Sequence, residues 1–222
     1  MNERSTDQLK AWTSGFVQAY TERNALPADE ADVLLGRQYG IESKSALFRE
    51  VLGPHLGEGR ALEVGCNAGN QLHILGKAVP GLEIHAVEPQ EHAMRLARER
   101  NPRANVVQGT AFALPFDDGY FDLVMTNRVL IHVHPSDLHR ALGEIHRCSR
   151  RYIWCCEYFA EDTREVRYHG QAGLLWKTDF MQRYLDLFPD LRPVETRYYE
   201  LLDAPPGERL VDQVCLLEKT GG

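Results

Sequence analysis

The run "ALEVGCNAGNQL", residues 61–72, constrains this chain more than any other. Ala61, Leu62, Glu63 and Val64 suit a short buried strand, and the run then passes through Gly65, Asn67 and Gly69 into a helical pattern. Glycine has no Cβ, and asparagine tolerates the left-handed region better than most residues. The spacing therefore predicts a tight strand-to-helix turn at which backbone can approach a ligand closely. A helix beginning near Gly69 presents free N–H groups at the same place.

From this point strand and helix patterns alternate. Strands are predicted over 60–66, 82–88, "ANVVQG", 120–127 and 151–159, with helices over 69–78, 90–100 and 135–147. Such alternation implies right-handed crossovers and a parallel sheet covered on both faces. A long loop, a helix near 178–187 and two strands near 194–202 and 210–219 follow, the last two close enough for a hairpin through "DAPPGE". Ahead of the alternation, Leu9, Trp12, Phe16, Val17 and Tyr20 recur at three- and four-residue spacing, an amphipathic helix; a short helix and another near 43–52 come next. The reading is one α/β domain over 1–222, with 1–57 a helical lid or cap and 58–222 a doubly wound core.

With 25 Lys+Arg against 32 Asp+Glu the net charge is −7, which argues against nucleic acid as a partner. No apolar run approaches the roughly 18 residues that span a bilayer, and the mixed-charge "MNERSTDQLKAW" is no secretory signal. A cytoplasmic protein with a small-molecule substrate and no membrane partner is expected. The five cysteines are odd in number and lack C-x-x-C spacing, so they are read as reduced thiols in packing roles.

The second strand ends in Glu88, nineteen residues beyond Gly69. An acid there is placed to accept hydrogen bonds from two ribose hydroxyls. A dinucleotide needs G-x-G-x-x-G to seat its pyrophosphate, whereas this turn is G-x-N-x-G, and no G-x-x-x-x-G-K-[ST] occurs. A ligand with ribose but no phosphate fits best, and S-adenosylmethionine is the common one.

"LEVGCNAGNQ", "AVEP" and "GTAFALPFDDGYFDLVMTNRVLIHVHP" resemble the successive motifs of class I S-adenosylmethionine-dependent methyltransferases. More narrowly, "AWTSGFVQAYTERN", "VLIHVHPSDLHRALGEIHRCSRRYIWCCEYF" and "EVRYHGQAGLLWKTDF" resemble bacterial methylases associated with pseudaminic acid biosynthesis. The likeness implies a Rossmann-like, seven-stranded, mostly parallel sheet with antiparallel last strands and N-terminal lid helices. It also implies that Glu63, Gly65, Asn67 and Gly69 line the methionine and ribose side of the cofactor, that Glu88 takes the ribose hydroxyls and that Pro89 and Gln90 flank the adenine. Many relatives contact the adenine amine with an aspartate where this chain has Thr110. Backbone at Thr110 and Ala111, with stacking by Phe112, then carries that end, while Asn127 and Arg128 face the methionine.

Methyl transfer from a sulfonium is an in-line displacement, and positioning can be worth roughly 7–11 kcal/mol. A hydroxyl or ammonium acceptor must also lose a proton. His132 follows the fourth strand and titrates in a suitable range, and Glu157 and Tyr158 close the fifth, so these three are the catalytic candidates. Tyr168 and Trp176 on the long loop, with Trp12, Phe16 and Tyr20 on the first helix, are the candidate pocket and lid aromatics; such rings stabilise a sulfonium by roughly 0.5–2 kcal/mol. His134 reads as a surface cap residue, and His132-x-His134 lacks a third ligand, so no metal is expected. Two alternatives stay open: cyclisation of the cofactor to azetidine-2-carboxylate with release of methylthioadenosine, and a non-catalytic nucleoside-binding module.

Overall fold

The computed structural model describes residues 8, 10, 15–168, 170, 172–204 and 209–221. Three helices lead: α1 (Gly15–Asn24), α2 (Ala28–Gln38) and α3 (Lys44–Leu52). The alternation follows as β1 (Glu58–Val64), α4 (Asn70–Ala78), β2 (Gly81–Glu88), α5 (Glu91–Arg100), β3 (Asn105–Gln108), β4 (Phe121–Asn127), a 3₁₀ turn (Leu130–His132), α6 (Leu138–Cys148) and β5 (Ser149–Tyr158). The chain ends with β6 (Arg164–Glu165), β7 (Trp176–Lys177), α7 (Phe180–Leu187), β8 (Leu191–Glu200) and β9 (Val211–Lys219). Seven strands form one sheet in the order β3-β2-β1-β4-β5-β9-β8, and β6 and β7 make a separate two-stranded hairpin. The α/β fold with a seven-stranded, mostly parallel sheet is the one expected from the sequence.

The chain divides into two compact units, Leu9–Thr110 and Ala111–Gly222 with Met1–Gln8. In the first, β1 runs parallel to β2 from Glu58↔Gly81 to Val64↔Val87, and β2 runs parallel to β3. Residues 61–64 of β1 are all buried, as a strand covered on both faces requires. Cys66, Leu72, Ala86, Met94, Ala97 and Val106 pack one side of this sheet. Helix α3 starts where Ser43 Oγ accepts from Ala46 N at 3.1 Å. The same end is reinforced by buried Asp32, which accepts from Ser45 N and Ser45 Oγ, both at 2.7 Å.

In the second unit β4 and β5 are parallel, and β9 runs antiparallel to both β5 and β8. Pro193 lies on β8, at the end of the strand order and beside a register shift, the kind of position in which sheets accommodate proline. Asp179 caps α7 by accepting from Gln182 N at 2.9 Å. All five cysteines are buried, and none is in a disulfide. Two features depart from the expected elements. The long loop after β5 contains the β6–β7 hairpin, and α6 begins at Leu138 because residues 134–136 form a turn in which His134 Nδ1 accepts from Ser136 N at 3.2 Å. Among the described residues no helix is long and apolar enough to cross a membrane.

Asp32 generates a stability prediction. Burial pulls its pKa up, but the two Ser45 bonds and Lys77 together outweigh that and hold it below the usual range. Its contribution is therefore present above pH about 4 and lost as pH falls through the lowered folded value. Asp32→Ala should cost about 3 kcal/mol in a urea titration at pH 7. Lys77→Ala, whose side chain is 43% exposed, should cost far less, because water screens its charge.

Candidate functional site

The turn after β1 is built from three left-handed residues: Gly65 at φ 75°, Asn67 at φ 47° and Gly69 at φ 76°. Backbone bonds knit it to β2, with Gly65 N donating to Val87 O at 2.8 Å and Gly69 N donating to Cys66 O at 2.9 Å. A Cβ on Gly69 would sit 2.4 Å from Asn101 Nδ2 and 3.2 Å from the Ala97 Cβ. Glycine is thus demanded twice at 69, by dihedral and by space.

Glu88 ends β2 with both carboxylate oxygens engaged by backbone. Oε2 accepts from Asn67 N at 2.8 Å and Oε1 from Gln90 N at 2.9 Å. Burial pushes its pKa up to about 7 against the lowering effect of those two bonds. Each oxygen retains acceptor capacity, since a carboxylate offers about four lone-pair sites. Glu63 is buried at the end of β1. Burial first, then the charges of Glu88 and Glu63, drives the Cys66 thiol well above its ordinary range, so both acids act on this turn. Asn67 Oδ1, Asn70 Oδ1 and Gln71 Oε1 are buried and make no hydrogen bond among the described residues. Pro89 continues from Glu88, and its carbonyl accepts from Gln108 Nε2 at 3.2 Å. Thr110 is buried beyond β3, and Tyr20 is half-buried near the end of α1, its carbonyl accepting from Asn24 Nδ2 at 2.8 Å.

The C-terminal end of α5, which no motif marks, holds two successive carbonyls of the turn. Arg100 Nη1 donates to Ala68 O at 2.8 Å, and Asn101 Nδ2 donates to Gly69 O at 3.0 Å and to Ala97 O at 3.1 Å.

The second unit gathers the other candidates around the ends of β4 and β5. Asn127 Oδ1 accepts from Trp154 Nε1 at 3.2 Å. Arg128, at φ 54°, donates through Nε at 3.1 Å and Nη2 at 2.8 Å to Oδ2 of fully buried Asp212. Its guanidinium lies 5.2 Å from the Tyr158 ring centre, and Lys177 Nζ lies 5.5 Å from the same ring. Asp212 and Lys177 carry no sequence signal for this cluster; strand pairing and the β6–β7 hairpin bring them in. Glu157 is fully buried, accepting from Val129 N at 3.2 Å and Ile131 N at 3.3 Å, and burial raises its pKa to about 7.

His132 Nδ1 lies 2.7 Å from Leu174 O. A carbonyl only accepts, so Nδ1 carries the proton and Nε2 keeps its lone pair. Burial lowers the pKa to about 4, so the ring is neutral at pH 7. Tyr168 meets it edge-on at 5.3 Å, and Trp176, buried, meets the ring of His134 at 5.1 Å. Ala111 is half-buried, and the Phe112 ring lies under the Arg140 guanidinium at 5.0 Å. A cavity of about 410 Å³ in this unit has Val133, Leu138, Leu142, Trp176 and Phe180 in its wall and Arg183 among its polar groups. Trp12 and the side chain of Phe16 lie outside the described residues.

Gly69→Ala should destabilise the protein by more than about 1 kcal/mol in chemical denaturation, because the left-handed dihedral and the Asn101 contact both oppose a Cβ. A variant as stable as the wild type would remove Asn101 from the support of the turn.

Residues 62–152 match the family described as "Methyltransferase domain". An uncharacterised methyltransferase of Schizosaccharomyces pombe is 34% identical over 136 residues, covering 52% of this chain and 48% of that protein. The chain spans 37% to 48% of the length of the curated relatives it matches. Among solved structures, an S-adenosylmethionine-dependent methyltransferase of Methanosarcina mazei aligns with TM-score 0.63 at 18% identity, over 76% of this chain and 96% of that one. The 1,6-didemethyltoxoflavin-N1-methyltransferase of Burkholderia thailandensis, solved with 1,6-didemethyltoxoflavin and S-adenosylhomocysteine, aligns with TM-score 0.61 at 20% identity, over 93% and 91%. Residues 62–152 thus match the methyltransferase-domain family, and the fold that carries them is that of the class I methyltransferases.

Proposed function

We propose that this protein is an S-adenosylmethionine-dependent methyltransferase acting on a small polar molecule. The observation that carries the reading is the acceptor-rich turn: a backbone-anchored Glu88 and three buried amide oxygens, on Asn67, Asn70 and Gln71, with no partner among the described residues. Its missing partners are donors, which two ribose hydroxyls and an α-ammonium supply. The negative charge of Glu63 and Glu88 disfavours phosphate and favours a cationic ligand. S-adenosylmethionine has that donor set and that charge, and the bound cofactor supplies a methyl group on a good leaving group.

In this reading Glu63, Gly65, Asn67, Gly69 and Glu88 hold the methionine and ribose, and Pro89, Gln90, Thr110, Ala111 and Phe112 border the adenine. Asn127 and Arg128 serve the methionine end, Arg128 being oriented by Asp212. His132, held as the Nδ1–H tautomer, accepts a hydrogen bond or proton from the acceptor's N–H or O–H at Nε2. A pKa near 4 makes it a better orienter of a nucleophile than a strong base. Glu157 fixes the backbone that carries His132, Tyr158 with Tyr168 and Trp176 supplies aromatic walls, and Tyr20 is the lid candidate among the described residues. The sequence likeness to pseudaminic-acid-associated methylases supports a sugar-type or specialised metabolite, and the small-molecule acceptor of the Burkholderia neighbour is compatible with this. We place the enzyme in the cytoplasm.

Binding, its pH dependence, turnover and product analysis test the reading. Calorimetric titration with S-adenosylhomocysteine should show binding, and Glu88→Ala should lose about 1–3 kcal/mol of it. Glu88→Gln should lose a similar amount, because its amide N–H₂ meets an N–H donor; unchanged affinity in both removes Glu88 from the site. The carboxylate form is the better acceptor, so wild-type affinity should rise as pH increases through about 7 and then level. The sign for stability is opposite: a carboxylate whose folded pKa is raised loses folding stability between the unfolded value, 4.5, and about 7.

His132→Ala should lower kcat about a hundredfold with cofactor affinity unchanged; an unaltered kcat excludes His132 from the chemistry. Methylthioadenosine formed from cofactor alone, without any acceptor, would replace methyl transfer by cyclisation.

A further inference from the structure

Arg100 does more than hold the turn. Among the described residues its guanidinium has two partners, both main-chain carbonyls: Ala68 O, 32 residues earlier, and Leu26 O, 74 residues earlier, which accepts from Nη2. Ala68 lies within the turn, and Leu26 lies in the link between α1 and α2. Its charge is met by carbonyl oxygen, with no carboxylate partner among the described residues.

Two further bonds reach the same arm. Asn70 Nδ2 donates to Asn24 O at 2.7 Å, and Thr21 Oγ1 donates to Gln90 Oε1 at 3.1 Å, with Thr21 and Gln90 both buried. Gln90 N in turn holds Glu88. Residues 21–26 are therefore joined to the turn and its support at three places: Ala68 through Arg100, then Asn70 and Gln90.

The Asn70 bond has a chemical consequence. By taking Nδ2, the arm fixes the amide so that Oδ1 is the atom left over, and that oxygen is buried without a partner among the described residues. A ligand donor that uses Oδ1 gains only when the amide is held this way, so it interacts differently with the docked and undocked arm. Such a difference is what couples two equilibria, and the coupling is reciprocal.

We propose that Arg100 is a positioning residue that joins the order of the arm, residues 20–26, to the ligand-binding form of the turn, so that a nucleoside seated in the turn tightens the arm. The proposal rests on the cofactor reading above. Arginine is needed because its planar fork spans two carbonyls, whereas an ammonium on a flexible stem serves one at a time.

Amide hydrogen exchange and calorimetry on the whole chain test this, with S-adenosylhomocysteine as the probe. In the wild type the probe should slow exchange at residues 20–26 about tenfold or more, a coupling of ordinary size. In Arg100→Met its affinity should fall about tenfold and the slowing at 20–26 should vanish, while exchange in β1 and β2 stays as in the wild type. Arg100→Lys should bind with intermediate affinity and also lose the slowing; should the methionine variant not fold, it carries the test by the same readout. Slowing that survives in these variants overturns the proposal. So does a uniform rise in exchange across β1, β2 and 20–26, the mark of a residue that serves stability alone. If the wild type binds no probe, the cofactor reading falls, and the ligand-free proteins decide about Arg100: exchange at 20–26 must then be about tenfold faster in the variant, and equal rates overturn the proposal.

Discussion

A buried carboxylate that accepts from two backbone amides is the constraint on which the turn depends. Residues in left-handed dihedrals throw their N–H groups away from the sheet ladder, and a buried N–H without an acceptor costs about as much as a lost hydrogen bond. Glu88 supplies the acceptors for Asn67 N and Gln90 N, closing the turn and the start of α5 at once. The cost shows in its pKa, which burial lifts to about 7. A group kept near its titration point in a strand-end position is also responsive to what binds beside it.

The second unit uses the same device. Glu157, at the end of β5, accepts from Val129 N and Ile131 N and so shapes the segment that carries His132. Its pKa is raised for the same reason. In each case a strand delivers an acid to its carboxyl end, and the acid organises a loop that regular ladder bonding cannot reach. Loops can then be irregular enough for function without leaving buried amides unpaired.

The alternation between residues 60 and 159 was legible because strands buried on both faces read as apolar runs and their helices keep a 3.6-residue period. Element ends were less legible. Pro135 and Ser136 look like a helix start, yet the His134–Ser136 turn delays α6 to Leu138. The β6–β7 hairpin has two residues on each strand, too few to show any period. Within the site, Gly65, Asn67, Gly69 and Glu88 were legible because backbone dihedral and strand-end position restrict residue type locally. Arg100, Asn101, Asp212 and Lys177 were not, since their partners are separated from them by long stretches of chain.

From the sequence alone came the class of fold, the turn with its glycines, and an acid at the end of the second strand. These depend on periodicity and on steric limits acting over a few residues. Tertiary structure alone decided where the acid's oxygens point, which nitrogen of His132 carries the proton, and what Arg100 holds. Those depend on which distant atoms a compact chain brings within about 3 Å, and no local pattern encodes that.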